Sequence, residues 1–183
     1  ENPKAVSFLK SLAIVFAIAA GLLLWSLIAP RPYTPLAFEI LEFEGDAKIY
    51  DLQTRSWRAP MRGEEFVTSQ KLKTGADGTI NFQVENDLHL RLKENSEIRN
   101  EESRVIGRKE VYKLRLTQGV LLGATTREFE WKQNNGKAIF EILTSGCVAN
   151  IHGAIFRVQA SVAQEEENKV GVLRGFVEVA RPA

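Results

Sequence analysis

Hydrophobic positions along the chain fall into two regimes. From Ser11 to Pro30 no residue is charged, and a helix of that length, rising about 1.5 Å per residue, spans roughly 30 Å, the thickness of a hydrocarbon core. This run predicts a transmembrane helix over residues 11–30. Leu12, Leu22 and Gly21 lie within it, with Trp25 near its far end and Tyr33 just beyond as interfacial aromatic anchors. A cleaved signal peptide is the competing reading, but it calls for a shorter apolar run and small residues at the cut site, where Leu27 and Pro30 stand here. A buried core helix is less expected, because this run presents no charged face. Lys4 and Lys10 precede the span, which favours a short cytoplasmic flank, residues 1–10, with the rest delivered across the membrane. Pro30, Pro32 and Pro35 then predict a semi-rigid spacer over 31–37, ahead of a domain over 38–181.

In the second regime apolar and polar residues alternate. Ile80, Phe82 and Val84 oppose Asn81, Gln83 and Glu85, and Leu88, Leu90 and Leu92 oppose His89, Arg91 and Lys93, with a tight turn at Asn86-Asp87. The same period returns at Tyr112, Leu114 and Leu116, at Phe140 and Ile142, at Ala154, Phe156 and Val158, and at Val170, Val172, Val177 and Val179. No stretch beyond residue 36 sustains a helical period. Turn chemistry at Glu44-Gly45-Asp46, Ala76-Asp77-Gly78, Gln118-Gly119, Asn134-Asn135-Gly136 and Arg174-Gly175 divides the chain into about a dozen short strands. Such spacing predicts an all-β domain: a sandwich, a barrel or a β-solenoid. Without helical crossovers, a doubly wound parallel sheet with a nucleotide site is excluded.

Composition narrows the chemistry. Apolar residues make up 44% of the chain, and outside the membrane run they suffice for one modest core. Setting aside Glu1, Lys4 and Lys10 leaves 22 basic and 22 acidic residues, a balance that argues against a polyanion partner; no nucleic acid is expected. Arg55, Arg58 and Arg62 around Trp57 fit a charge-fringed hairpin better than a stacking site. Cys147 is the sole cysteine, so it forms no intramolecular disulfide, and a buried thiol is the plain reading over an intermolecular one. Cys147 and His152, five apart on an extended segment, lie roughly 17 Å apart and do not make a catalytic pair. Glu42 and Glu44 share a strand face but read as solvated rather than as a glycosidase pair. The run Glu165–Glu167 reads as a hairpin tip, and His89 and His152 are too far apart to define a metal site. No cofactor, metal or catalytic residue is expected.

Ordered signals over most of the domain resemble one family. Gly45-Asp46-Ala47, the hairpin around Trp57, and Thr74-Gly75-Ala76-Asp77-Gly78 leading into an alternating strand match its opening. Asn95-Ser96 and Gln118-Gly119-Val120 match its middle. Thr144-Ser145, then His152-Gly153-Ala154-Ile155-Phe156-Arg157-Val158, closed by Gly175, match its later signature, with Ser145, His152 and Ala154 in place of a proline, an arginine and a threonine. The stretch from Gly45 to Val179 thus resembles the FecR-type periplasmic domain, which implies a sandwich-like or solenoid-like β module in the periplasm of a single-pass inner-membrane protein. The signature residues Gly45, Trp57, Thr74, Gly75, Gly78, Gly119, Thr144, Gly153, Phe156, Val158 and Gly175 read as architecture.

Well-studied members of that family relay signals from a periplasmic domain to a cytoplasmic sigma-factor-binding domain. Ten residues before the membrane run cannot form such a domain. The expectation is therefore a non-enzymatic accessory or scaffold subunit of an envelope complex, partnered by other membrane or periplasmic proteins and by lipid through residues 11–30. A FecR-type relay and a peptidoglycan- or glycan-binding module are the alternatives.

Overall fold

Strict alternation produces strands, and the computed structural model, which describes residues 34–85, 87–161 and 168–181, contains thirteen of them. They are β1 (Thr34–Pro35), β2 (Phe38–Glu44), β3 (Ala47–Asp51), β4 (Ser56–Arg58), β5 (Glu65–Phe66), β6 (Lys71–Thr74) and β7 (Thr79–Val84). The later ones are β8 (Leu88–Leu92), β9 (Glu97–Ile106), β10 (Lys109–Thr125), β11 (Ala138–Leu143), β12 (Val148–Ala160) and β13 (Lys169–Ala180). All join one curled sheet with the path β4-β3-β6-β9-β10-β8-β7-β2-β5, and β11, β12 and β13 branch from β10. The domain is mostly β, and its core lies on the inner face of a half-barrel.

Closure of the curl comes from the segment assigned to the spacer. Thr34 and Pro35 pair with Val105 and Arg104 of β9, and the Leu36 N–H donates to the Ser103 carbonyl at 3.0 Å. The second half of the 31–37 spacer thus runs along the sheet, and Leu36 packs on the core. Inside the curl, Phe38 of β2 meets Tyr112 of β10 with ring centroids 5.7 Å apart, although two strands, β8 and β7, separate them along the sheet.

β10 is the spine. Its first part pairs with β9 and, in parallel, with β11; its second part pairs with β8 and β12. Gly119, expected in a turn, lies inside this 17-residue strand, beside the register shift between Leu116 and Gln118. Gly175, likewise expected in a turn, lies within β13 opposite an irregularity of β12. In both places the chain bends without reversing, so four strands of ten or more residues replace the short ones expected. Bulged ladders keep the pairing continuous while the strand turns.

A helix, α1 (Arg127–Asn134), corrects the expectation that no helix follows residue 36. It links the parallel pair β10 and β11, so one crossover exists; the rest of the sheet is antiparallel apart from that pair, and the fold is not doubly wound. Eight residues with only Phe129 buried leave no apolar stripe for a period to register. The usable signal was its cap: the Thr126 side chain accepts from the Phe129 N–H, with Glu128 and Glu130 in the first turn.

No helix among the described residues is long and apolar enough to cross a membrane. The expected span over 11–30, with Leu12, Gly21, Leu22, Trp25 and Tyr33, lies outside the described residues, as does the Glu165–Glu167 run.

Candidate interaction surface

The outer face of the sheet is polar where alternation is strict and apolar where it breaks. Cross-strand register lines up Glu42, Asn81, Arg91, Leu122, Arg157 and Gly171 in one row from β2 to β13. The adjacent row is Glu39, Gln83, His89, Ala124, Ile155 and Arg174. At the β2 end the carboxylates are engaged: Asn81 Nδ2 donates to Glu42 Oε2 at 3.4 Å, and Gln83 Nε2 to Glu39 Oε2 at 3.3 Å. Toward β13 the surface changes. Leu122 sits between Arg91 and Arg157, and with Leu41, Ile155 and Leu173 it lines an open groove of about 650 Å³.

The groove runs out at β13, which among the described residues pairs only with β12. Leu173, Phe176 and Val179 of this strand are 86%, 62% and 53% exposed. Proteins usually shorten, charge or cover such an edge, because its unpaired N–H and C=O groups accept a further strand. Alternation alone missed this face. The usable signal was consecutive apolar pairs, Leu121-Leu122, Ile155-Phe156 and Val172-Leu173, which must place one side chain on each side of the sheet.

Residues singled out as a family signature serve the frame. Two turns interlock: the Gly75 N–H donates to the Asp46 carbonyl at 2.7 Å, and the Asp46 N–H to Asp77 Oδ1 at 3.2 Å. A Cβ on Gly78 would stand 2.2 Å from the Asp46 carbonyl oxygen, so the two backbones approach too closely for any side chain. Thr74 Oγ1 donates to the Lys93 carbonyl at 2.6 Å and accepts from the Ser96 N–H at 3.0 Å, tying this turn to the β8–β9 connection. Thr144 Oγ1 accepts from the Cys147 N–H at 3.0 Å in the β11–β12 turn, and the Gly153 N–H reaches Gln133 Oε1 of α1 at 3.0 Å. Phe156 and Val158 are buried, and Trp57 stacks edge-on against Tyr50 at 5.4 Å.

Where the family signature is altered, the substitutes are also structural. Ser145 Oγ accepts from Asn168 Nδ2 at 3.2 Å, Ala154 is buried, and His152 lies against Phe176 with centroids 5.7 Å apart. Cys147 is buried, with its sulfur 3.4 Å from Thr144 Oγ1, whereas His152 is exposed on the opposite phase of the strand. The structure does not bring them together. Arg58 is occupied rather than offered to phosphate: Nε bonds Asp51 Oδ2 at 3.3 Å and Nη1 bonds Glu64 Oε2 at 3.1 Å. The Glu64 hydrogen bond outweighs burial and raises the guanidinium further above its ordinary value.

One charged cluster anchors α1. Lys132 Nζ lies 3.0 Å from Asp87 Oδ2, 3.3 Å from Glu85 Oε2 and 3.5 Å from Glu110 Oε1. Burial pulls the ammonium down, but the Asp87 hydrogen bond and the charges of Glu110 and Glu85 together raise it above the usual lysine value. Tyr112 Oη donates to Glu110 Oε2 at 3.3 Å, and burial holds this phenol well above its ordinary value. Among the described residues, no group of three potential ligands could hold a metal ion.

The frame built by these turns, bulges and paired long strands coincides with a family model, described as FecR protein, that matches residues 70–178. The chain belongs to the FecR protein family. The matched span begins just before β6 and ends within β13, so it contains the spine β10, the helix crossover and most of the outer-face groove. The Gly75–Gly78 turn and the Thr144 turn lie within the matched span, and Leu122, Ile155 and Leu173 sit on its outer surface. No curated protein and no solved structure matches the chain.

Proposed function

We propose that this FecR-family chain is a non-enzymatic accessory or scaffold subunit of an envelope protein complex. Residues 11–30 anchor it in the inner membrane as a single pass, with residues 1–10 cytoplasmic and the β domain in the periplasm. Its partners are other membrane or periplasmic proteins, and it needs no cofactor. The observation that carries this reading is the outer-face groove of Leu41, Leu122, Ile155 and Leu173, flanked by Arg91 and Arg157 and continuous with the β13 edge. Apolar contact area rimmed by arginine is the composition of protein interfaces, not of an idle strand surface.

The family assignment favours a second reading, a FecR-type signal relay in which the same surface receives a periplasmic signal. Both readings require a protein bound at the groove. Affinity purification of the full chain from detergent-solubilised membranes tests this. A specific partner is expected with the wild type and is lost in Leu122→Asp/Ile155→Asp, while Met61→Asp, exposed elsewhere, retains it. A chain that runs alone and crosslinks to nothing overturns the proposal. Which reading holds then follows from whether the partner carries transcriptional output or only co-assembles.

A further inference from the structure

The exposed residues of β13 form a pattern that is its own complement. Arg174, Phe176 and Glu178 stand opposite Ile155, His152 and Asn150 of β12, all on the outer phase of the sheet. An apolar residue is thus flanked at equal spacing by a cation and an anion. Neither Arg174 nor Glu178 forms an ion pair among the described residues, and the free side of the strand has no partner there.

We propose that β13 pairs antiparallel with β13 of a second copy of this chain, about a two-fold axis through Phe176, to make one sheet across two protomers. Antiparallel ladders join only residues whose N–H and C=O groups both point at, or both away from, the partner, so positions of the same parity face each other. Centring the pair on Phe176 sets Arg174 opposite the second copy's Glu178, Glu178 opposite its Arg174, and Phe176 opposite itself. On the other face Gly175 stands opposite the second copy's Val177. Moving the centre two residues either way does worse: centring on Arg174 or Glu178 sets like charges directly opposite, a destabilising arrangement. A closed two-fold contact is also the commonest way that a self-complementary surface is satisfied, and it covers the β13 edge. The groove at Leu122 stays available for a different protein, so the self-pairing stands apart from the docking reading above.

The experiment is a charge exchange with the full chain in detergent, followed by sedimentation over a concentration series. Arg174→Glu and Glu178→Arg each convert two attractive pairs into two repulsive ones and raise the dimer dissociation constant by about tenfold or more; the double exchange Arg174→Glu/Glu178→Arg restores it. In a Cys147→Ser background, Phe176→Cys forms a disulfide-linked dimer. Val179→Cys does not, because its counterpart lies six residues along the strand, about 20 Å away. A chain that remains monomeric, a dimer indifferent to the exchange, or crosslinking at Val179→Cys equal to that at Phe176→Cys overturns the proposal. If a monomer nevertheless keeps a groove-dependent partner, only the self-pairing has failed.

Discussion

At the residue scale, the tightest constraints sit where two backbones touch. Gly78 and Gly45 hold the β2–β3 and β6–β7 turns against each other, and a Cβ on Gly45 would fall 2.3 Å from the Asp77 carbonyl oxygen at a φ of +59°. Gly78→Val is expected to cost about 2–4 kcal/mol by forcing the turns apart, because both close approach and overpacking are penalised; urea unfolding of the β domain measures it. Lys132 is a second single-residue test. Its folded-state pKa lies above the unfolded one, so its contribution is fully present below the unfolded lysine value of about 10.4 and is lost as pH rises through the folded value. Lys132→Met leaves Asp87, Glu85 and Glu110 facing one another and is expected to cost about 1–3 kcal/mol at neutral pH. The gap between wild type and variant should stay constant from pH 7 to 9 and shrink only above the unfolded lysine range. A gap that closes below pH 9 would contradict this account.

Among elements, β10 and α1 carry the departures from simple alternation. Gly119, at a φ of +87° and with a would-be Cβ 2.1 Å from Ser96 Oγ, sits where β10 passes from β9 to β12, beside the register shift between Leu116 and Gln118. Gly119→Ala should therefore destabilise more than a mid-strand glycine substitution ordinarily does, and amide exchange should accelerate first around Gln118–Val120, where the Val120 N–H bonds Ser96 Oγ at 2.9 Å. The helix depends on its ends, since one buried residue supplies little packing. Thr126→Ala removes the cap and is expected to cost about 1 kcal/mol, with loss of helical far-ultraviolet signal preceding loss of the sheet. If the helix persists unchanged, the Lys132 cluster and Phe129 hold it without the cap.

Across the whole molecule, the two faces of the sheet should respond in opposite ways. Phe156 is buried on the inner face and packs on Phe140 with centroids 6.0 Å apart, so Phe156→Ala is expected to cost about 3–5 kcal/mol. Ile155 beside it points outward, and Ile155→Ser should leave the unfolding midpoint nearly unchanged while abolishing partner binding at the groove. Equal destabilisation by both would mean that the outer face is structural. The sheet has an edge at β13 with charge, apolar side chains and no cover among the described residues, which offers a surface for association.

Legibility in the sequence followed the range of the interactions. Strict alternation in β7, β8 and β12 identified the strands and the core residues Phe82, Leu90, Phe156 and Val158, because a side chain's face is decided by its own position in the pleat. The family, too, was legible from ordered turn residues, since each turn is a local demand on backbone geometry. Gly119 and Gly175 were misread as turns because a glycine reports positive φ without saying whether the chain reverses or bulges. What only the tertiary structure decided was which strands meet: that β1 returns to β9, that one sheet curls over its own core, and that Leu122, Ile155 and Leu173 from three strands share a groove. Those contacts join positions tens of residues apart, and pairing over such distances is chosen by the closing of the whole sheet, not by any pattern written within a single segment.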